Sequence, residues 1–239
     1  MATYVLVHGG SHGGWCWQSL SRLLRAAGHD VYTPTLTGLG ERAHLLRPDI
    51  NLDTHIADVV GVLHFEGITN AILVGHSYGG TVITGVADRA LSRVGHLVFL
   101  DASHPHDGDS MVSMTPEIMN AARSDLRVID GVELVRWPGP EHGRSYGVTD
   151  PHDVAWMQDK LTPQPWKTFE QPLRLANEAA LRKIPFTNIN CTPTLKVRPP
   201  ESLQRALAGD RVWEIDTGHD LMITEPEKVA ELLLRVAAL

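Results

Sequence analysis

The segment that most restricts the fold runs from residue 71 to residue 90. Ala71-Ile72-Leu73-Val74 is a short apolar run that leads directly into Gly75-His76-Ser77-Tyr78-Gly79-Gly80. Residues 80–90 then read as a helix. A buried strand, a serine flanked at two residues by glycines, and an immediate helix together describe a sharp elbow. Its neighbours must pack against both strand and helix, which leaves no room for a Cβ. The helix starting just after Ser77 turns its positive end toward the serine, where a negative charge could develop.

An elbow of this kind belongs in an α/β layer, and the remaining pattern agrees. Residues 4–7, a buried apolar run, and residues 29–33, 96–100, 186–191 and 211–215 read as strands. Residues 15–27, 53–65 and 227–238 read as amphipathic helices. This alternation predicts a mostly parallel central sheet with helices on both faces. The rhythm stops after Asp101. Residues 105–185 are expected to form a helical cap inserted into one compact domain, whose core is made of residues 1–104 and 186–239. The cap would cover the C-terminal sheet edge, where open α/β sheets bind ligands. Val112, Met114, Met119, Trp137, Trp156, Met157 and Trp166 give it apolar surface, suited either to an organic substrate or to gluing cap to body.

Two further segments carry chemistry. His8-Gly9-Gly10 follows the first strand. In such an architecture that loop and the residue after the nucleophile supply the oxyanion-hole amides, here Gly10 and Tyr78. His8 itself reads as a structural ring under the loop. Asp216-Thr217-Gly218-His219-Asp220 follows the last strand, and a late histidine on a loop fits the order serine, acid, histidine. His219 would take the Ser77 proton and return it to the leaving group. His76 should point away from the serine oxygen. Gly9, Ser11, His104, Trp137 and Trp156 are the expected pocket residues, with His106, His142 and His152 also in or near the cap.

Residues 6–17, Thr37-Gly38-Leu39-Gly40-Glu41-Arg42, residues 75–80 and Gly218-His219-Asp220-Leu221-Met222 together resemble the plant methylesterase and hydroxynitrile lyase branch of the α/β-hydrolases, with its bacterial carboxylesterase relatives. The resemblance implies hydrolysis of small to medium hydrophobic carboxylic esters with no metal or organic cofactor. The lyases of that branch carry threonine after the first strand's histidine and lysine after the catalytic histidine. Here those positions hold Gly9 and Asp220, which argues against cyanohydrin cleavage.

One position departs from the branch. Its acid usually follows the strand at 186–191 in a Cys-Thr-x-Asp context, but here the context reads Cys191-Thr192-Pro193-Thr194. Thr194 can hold an imidazole but cannot stabilise an imidazolium, and losing a triad acid costs roughly 10⁴ in turnover. Asp101, at the end of the strand at 96–100, is the favoured substitute. A dyad without an acid, or Asp216 or Asp220 in that role, stays open. The departure also leaves open a non-hydrolytic catalyst using His219 as acid and base, or a binding module with a vestigial site.

Composition excludes several alternatives. Net charge is −7 with no basic run, so a nucleic-acid footprint is absent. Cys16 and Cys191 are too few for a disulfide framework and lack metal spacing. No apolar run approaches the ~18 residues of a membrane span. No leader precedes the first strand, so a cytoplasmic protein is expected. The expected partner is a small hydrophobic substrate, and a homodimer is left open.

Overall fold

The computed structural model describes residues 1–137 and 145–239. Six strands form the central sheet: β1 Thr3–Val7, β2 Asp30–Tyr32, β3 Ala71–His76, β4 Val94–Leu100, β8 Phe186–Cys191 and β9 Arg211–Ile215. Their spatial order is β2-β1-β3-β4-β8-β9, and every neighbouring pair is parallel. The chain first steps from β1 outward to β2, then returns to place β3 on β1's other side. The order therefore reverses between β1 and β3, and at such a reversal the loops leaving the two strands diverge and open a crevice.

Apolar side chains on both sheet faces explain why β1, β3 and β4 read as continuous hydrophobic runs. Val5, Val7, Leu73, Leu97 and Phe99 pack on one face with Ile56, Val59, Val82 and Val86. Those partners come from helices α2 Leu52–Phe65 and α3 Gly79–Arg89. Tyr4, Leu6, Ile72, Val74, Val98 and Leu100 pack on the opposite face. There they meet Leu20 and Leu24 of α1 Gln18–Ala26, and Val229 and Leu233 of the last helix, α12 Pro226–Ala237. Asn51 starts α2 with a capping box, accepting from the Thr54 amide while the Thr54 hydroxyl accepts from its own amide. The first predicted helix divides into a 3-10 turn at Gly14–Trp17 and α1 proper.

Between β4 and β8 the chain forms α4 Met111–Met114, α5 Pro116–Ser124, β5 Arg127–Ile129, β6 Val132–Val135, α6 Pro151–Lys160, β7 Gln164–Pro165, α7 Lys167–Glu170 and α8 Glu178–Leu181. The expected helical cap also carries strands, since β5, β6 and β7 make a small antiparallel sheet within it. Asp130 and Gly131 join β5 to β6 with φ of 50° and 77°, the two left-handed residues of a tight hairpin turn. His142 lies outside the described residues. After β8 come α9 Thr192–Leu195, α10 Pro200–Ala206 and, beyond β9, α11 Leu221–Thr224. No helix among the described residues is long and apolar enough to cross a membrane.

Candidate active site

Ser77 lies between the end of β3 and the start of α3 with φ of 53°, a left-handed backbone that a serine adopts only under constraint. The glycines around it supply that constraint. A Cβ on Gly75 would sit 2.5 Å from the carbonyl oxygen of Gly79, and one on Gly79 would sit 2.5 Å from that of Val7. Both obstacles are backbone, so neither position admits a side chain. Gly9 is equally confined, since its Cβ would fall 2.9 Å from His76 Nδ1 and 3.0 Å from Ser77 Cβ. The threonine of the lyases would collide here.

Asp101 ends β4 with φ of 43°. Its Oδ2 lies 2.6 Å from His219 Nδ1. Its Oδ1 accepts from Thr194 Oγ1 at 2.6 Å, Arg198 Nη2 at 3.0 Å and the Cys191 amide at 3.3 Å. Burial would push this carboxyl up, but the hydrogen bond and charge of His219, with Arg198 and Thr194, hold it well below the usual carboxylate range. With Nδ1 engaged, Nε2 is the imidazole nitrogen left for chemistry. Ser77, Asp101 and His219 line one cavity of about 390 Å³, together with Met111, Ile118, Met119, Tyr146 and Phe169.

The remaining acids near His219 are engaged elsewhere. Asp216 accepts from Thr192 at 2.6 Å. Asp220 is fully buried and pairs with His12 Nε2 at 2.9 Å. His76 turns away from the serine and donates to the His219 carbonyl at 2.9 Å. His8 accepts from the Leu36 amide at 3.0 Å and contacts the Gly9 carbonyl at 2.8 Å, a structural ring.

A family model described as alpha/beta hydrolase matches this chain over residues 4–232. The chain belongs to the alpha/beta hydrolase family. A carbendazim hydrolyzing esterase of Nocardioides sp. (strain SG-4G) is 38% identical over 240 residues, covering 98% of each chain. Salicylic acid-binding protein 2 of Nicotiana tabacum is 26% identical, covering 98% of this chain and 96% of that one. Among solved structures, an extracellular alpha/beta-hydrolase from a Paenibacillus species superposes with a TM-score of 0.80 at 23% identity, over 98% of both chains.

Against this hydrolase frame the pocket expectations need correcting. None of Gly9, Ser11, His104, Trp137 or Trp156 is among the described residues lining the Ser77 cavity. Gly9 is pressed under Ser77. Ser11, with φ of 67°, donates its amide to Gln164 Oε1 at 2.7 Å and so ties the loop after β1 to the cap. His104 stacks on Phe99 at 4.1 Å, and burial pushes it down to about 4. Trp137 lies under the Arg127 guanidinium at 4.5 Å, and Trp156 packs edge-on to Trp15 at 5.1 Å. These aromatics hold the cap together and onto the body.

Two of the walls, Phe169 and Tyr146, come from residues that sequence reasoning passed over. Phe169 packs so closely on Gly10 that a Cβ there would sit 2.8 Å from its Cζ. The Tyr146 ring stacks 6.3 Å from that of His219. Tyr78 lines the cavity while its hydroxyl meets His55 Nδ1 at 2.9 Å.

Proposed function

We propose that this hydrolase cleaves small to medium hydrophobic carboxylic esters through an acyl-enzyme on Ser77. The ester carbonyl sits against Ser77, with its oxygen toward the amides of Gly10 and Tyr78. His219 Nε2 takes the hydroxyl proton as Oγ bonds to the carbonyl carbon, and the resulting imidazolium is stabilised by Asp101 at Nδ1. The tetrahedral intermediate expels the alkoxide, which leaves as the alcohol with the proton from His219. Water then repeats the sequence on the acyl-enzyme and frees the acid. Phe169, Met111, Met119 and Ile118 give the substrate an apolar seat. The reading needs no metal or organic cofactor, and neither nucleic acid nor a membrane surface takes part.

The observation that carries this reading is the 2.6 Å contact of His219 Nδ1 with Asp101, in the cavity that Ser77 lines. A non-hydrolytic enzyme drew its support from Thr194 in the usual acid position, and a carboxylate against His219 removes that support. The names of the relatives, two esterases and several methylesterases, point the same way.

Intact-mass analysis after adding a small fluorophosphonate tests the proposal. One adduct is expected on wild type and none on Ser77→Ala. No adduct on folded wild type would turn attention to non-hydrolytic chemistry or to a binding role.

A further inference from the structure

Two arginines line the Ser77 cavity, and they differ in how their charge is met. Arg198 is committed to Asp101 at 3.0 Å. Arg205, just outside, pairs with Asp109 and Glu201. Arg136, one residue beyond β6, has no carboxylate within ion-pair distance among the described residues. Its contacts are two aromatic rings and one phenol. The guanidinium carbon lies 5.9 Å from the Tyr146 ring centre and 5.7 Å from that of Phe169, and Nη1 donates to Tyr146 Oη at 3.3 Å. Its backbone is left-handed, with φ of 56°, a conformation kept for a long side chain only where surroundings enforce it.

The two rings beneath Arg136 are the ones that flank the reaction centre. Tyr146 stacks toward His219, while Phe169 presses on Gly10 and meets the Tyr78 ring at 5.4 Å. The cation is thus held over the walls of the catalytic cavity, with most of its N–H groups lacking an acceptor among the described residues. Aromatic faces offset part of the cost of keeping an unpaired charge there. A planar fork of donors facing an apolar cavity is suited to a carboxylate, which it can bind through two parallel hydrogen bonds.

We propose that Arg136 binds a carboxylate on the substrate, so that the ester attacked at Ser77 is a monoester of a dicarboxylic acid. The proposal rests on the Ser77 ester reading and names its substrate class. A neutral diester would offer the guanidinium only a carbonyl oxygen. That loses the charge–charge attraction, which is strongest away from water.

The test uses Ser77→Ala protein, so that intact esters can be titrated by calorimetry. The probes are monomethyl and dimethyl esters of straight-chain diacids from succinic to suberic, since chain length sets the reach from Ser77 to Arg136. At least one monomethyl ester should bind roughly tenfold or more tightly than its dimethyl partner. Adding Arg136→Gln should bring that ratio to about one. Arg136→Lys, a point charge without the fork, should keep part of it.

Equal binding of monoester and diester along the whole series overturns the proposal, as does a preference that survives Arg136→Gln. If that variant does not fold, salt decides, because a preference carried by the guanidinium must shrink as ionic strength rises. Turnover of the monomethyl esters by wild type is scored separately. Its absence beside an intact monoester preference counts against the Ser77 reading and leaves Arg136 standing. Its presence without the preference counts against Arg136 alone.

Discussion

Thr194 and Asp101 meet across a 2.6 Å hydrogen bond, hydroxyl to carboxylate. They stand on neighbouring strand ends, Asp101 after β4 and Thr194 just past β8. The position that holds the acid in the resembling branch and the carboxylate that meets His219 here are therefore adjacent in space, though 93 residues apart. A carboxylate on either strand end stands near His219, and here the threonine donates to the outer oxygen of the one on β4.

Asp101→Asn should lower kcat for a neutral ester by roughly 10⁴, with KM little changed. The amide keeps the shape but presents the wrong hydrogen-bond pattern to Nδ1 and carries no charge for the imidazolium. Steady-state kinetics with a p-nitrophenyl ester, beside a melting curve to confirm folding, makes the comparison. Near-full activity would remove Asp101 from the mechanism.

Returning the acid to its neighbour should restore part of that loss. In Asp101→Gly, the glycine accepts the φ of 43° without strain and leaves space beside His219. Adding Thr194→Asp places a carboxylate in that space, next to Arg198. The double variant should turn over a neutral ester roughly tenfold or more faster than Asp101→Gly alone. Equal rates would mean that position 194 no longer reaches Nδ1.

The strands are most readable where burial on both faces makes them continuous, as in β1, β3 and β4, and β8 and the half-exposed edge strand β9 also coincide with their expected limits. The cap was less legible. Val128 and Ile129 of β5 are exposed, so no alternation marks the hairpin, and Asp130-Gly131 was its only local signal. Trp137 and Trp156 were credited to the pocket by residue type. Which ring faces Ser77 depends on how the cap folds back, and that choice fell to Tyr146 and Phe169 through long-range packing. Asp101 was visible as a strand-end carboxylate. Its contact with His219 depends on β4 and β8 being neighbours, a pairing that no local pattern encodes.

Gly79→Ala should damage the elbow from below. Its new methyl would meet the Val7 carbonyl oxygen at 2.5 Å and that of His8 at 2.9 Å, both central backbone. Overpacking of this kind costs roughly 1–3 kcal/mol, which for a chain of this size means a Tm lower by several degrees. Reaction with the fluorophosphonate should slow as well, because α3 and the Tyr78 amide shift with the helix start. Calorimetry and labelling rate report the two effects separately, and an unchanged value in both would show that β1 yields more easily than a central strand should.

Buried histidines should make the protein acid-labile well above the carboxylate range. Burial pushes His8 and His76 each down to about 3. In the unfolded chain such rings take up protons near pH 6.5. Between those values the unfolded state binds more protons than the folded one, so stability is complete above pH 6.5 and falls as pH falls. Each ring that stays neutral costs about 1.4 kcal/mol per pH unit in that window. Two rings then remove about 4 kcal/mol by pH 5, a large share of the roughly 5–15 kcal/mol that holds a domain folded. The urea midpoint should drop steeply from pH 7 to pH 5, and His8→Gln should flatten the drop by about a quarter, because His55 and His104, which burial pushes down to about 4, stay neutral over the same range. A midpoint level across that range in wild type would mean that the rings charge in place. For His8 that would break its bond from the Leu36 amide, since a protonated Nε2 has no lone pair to accept it.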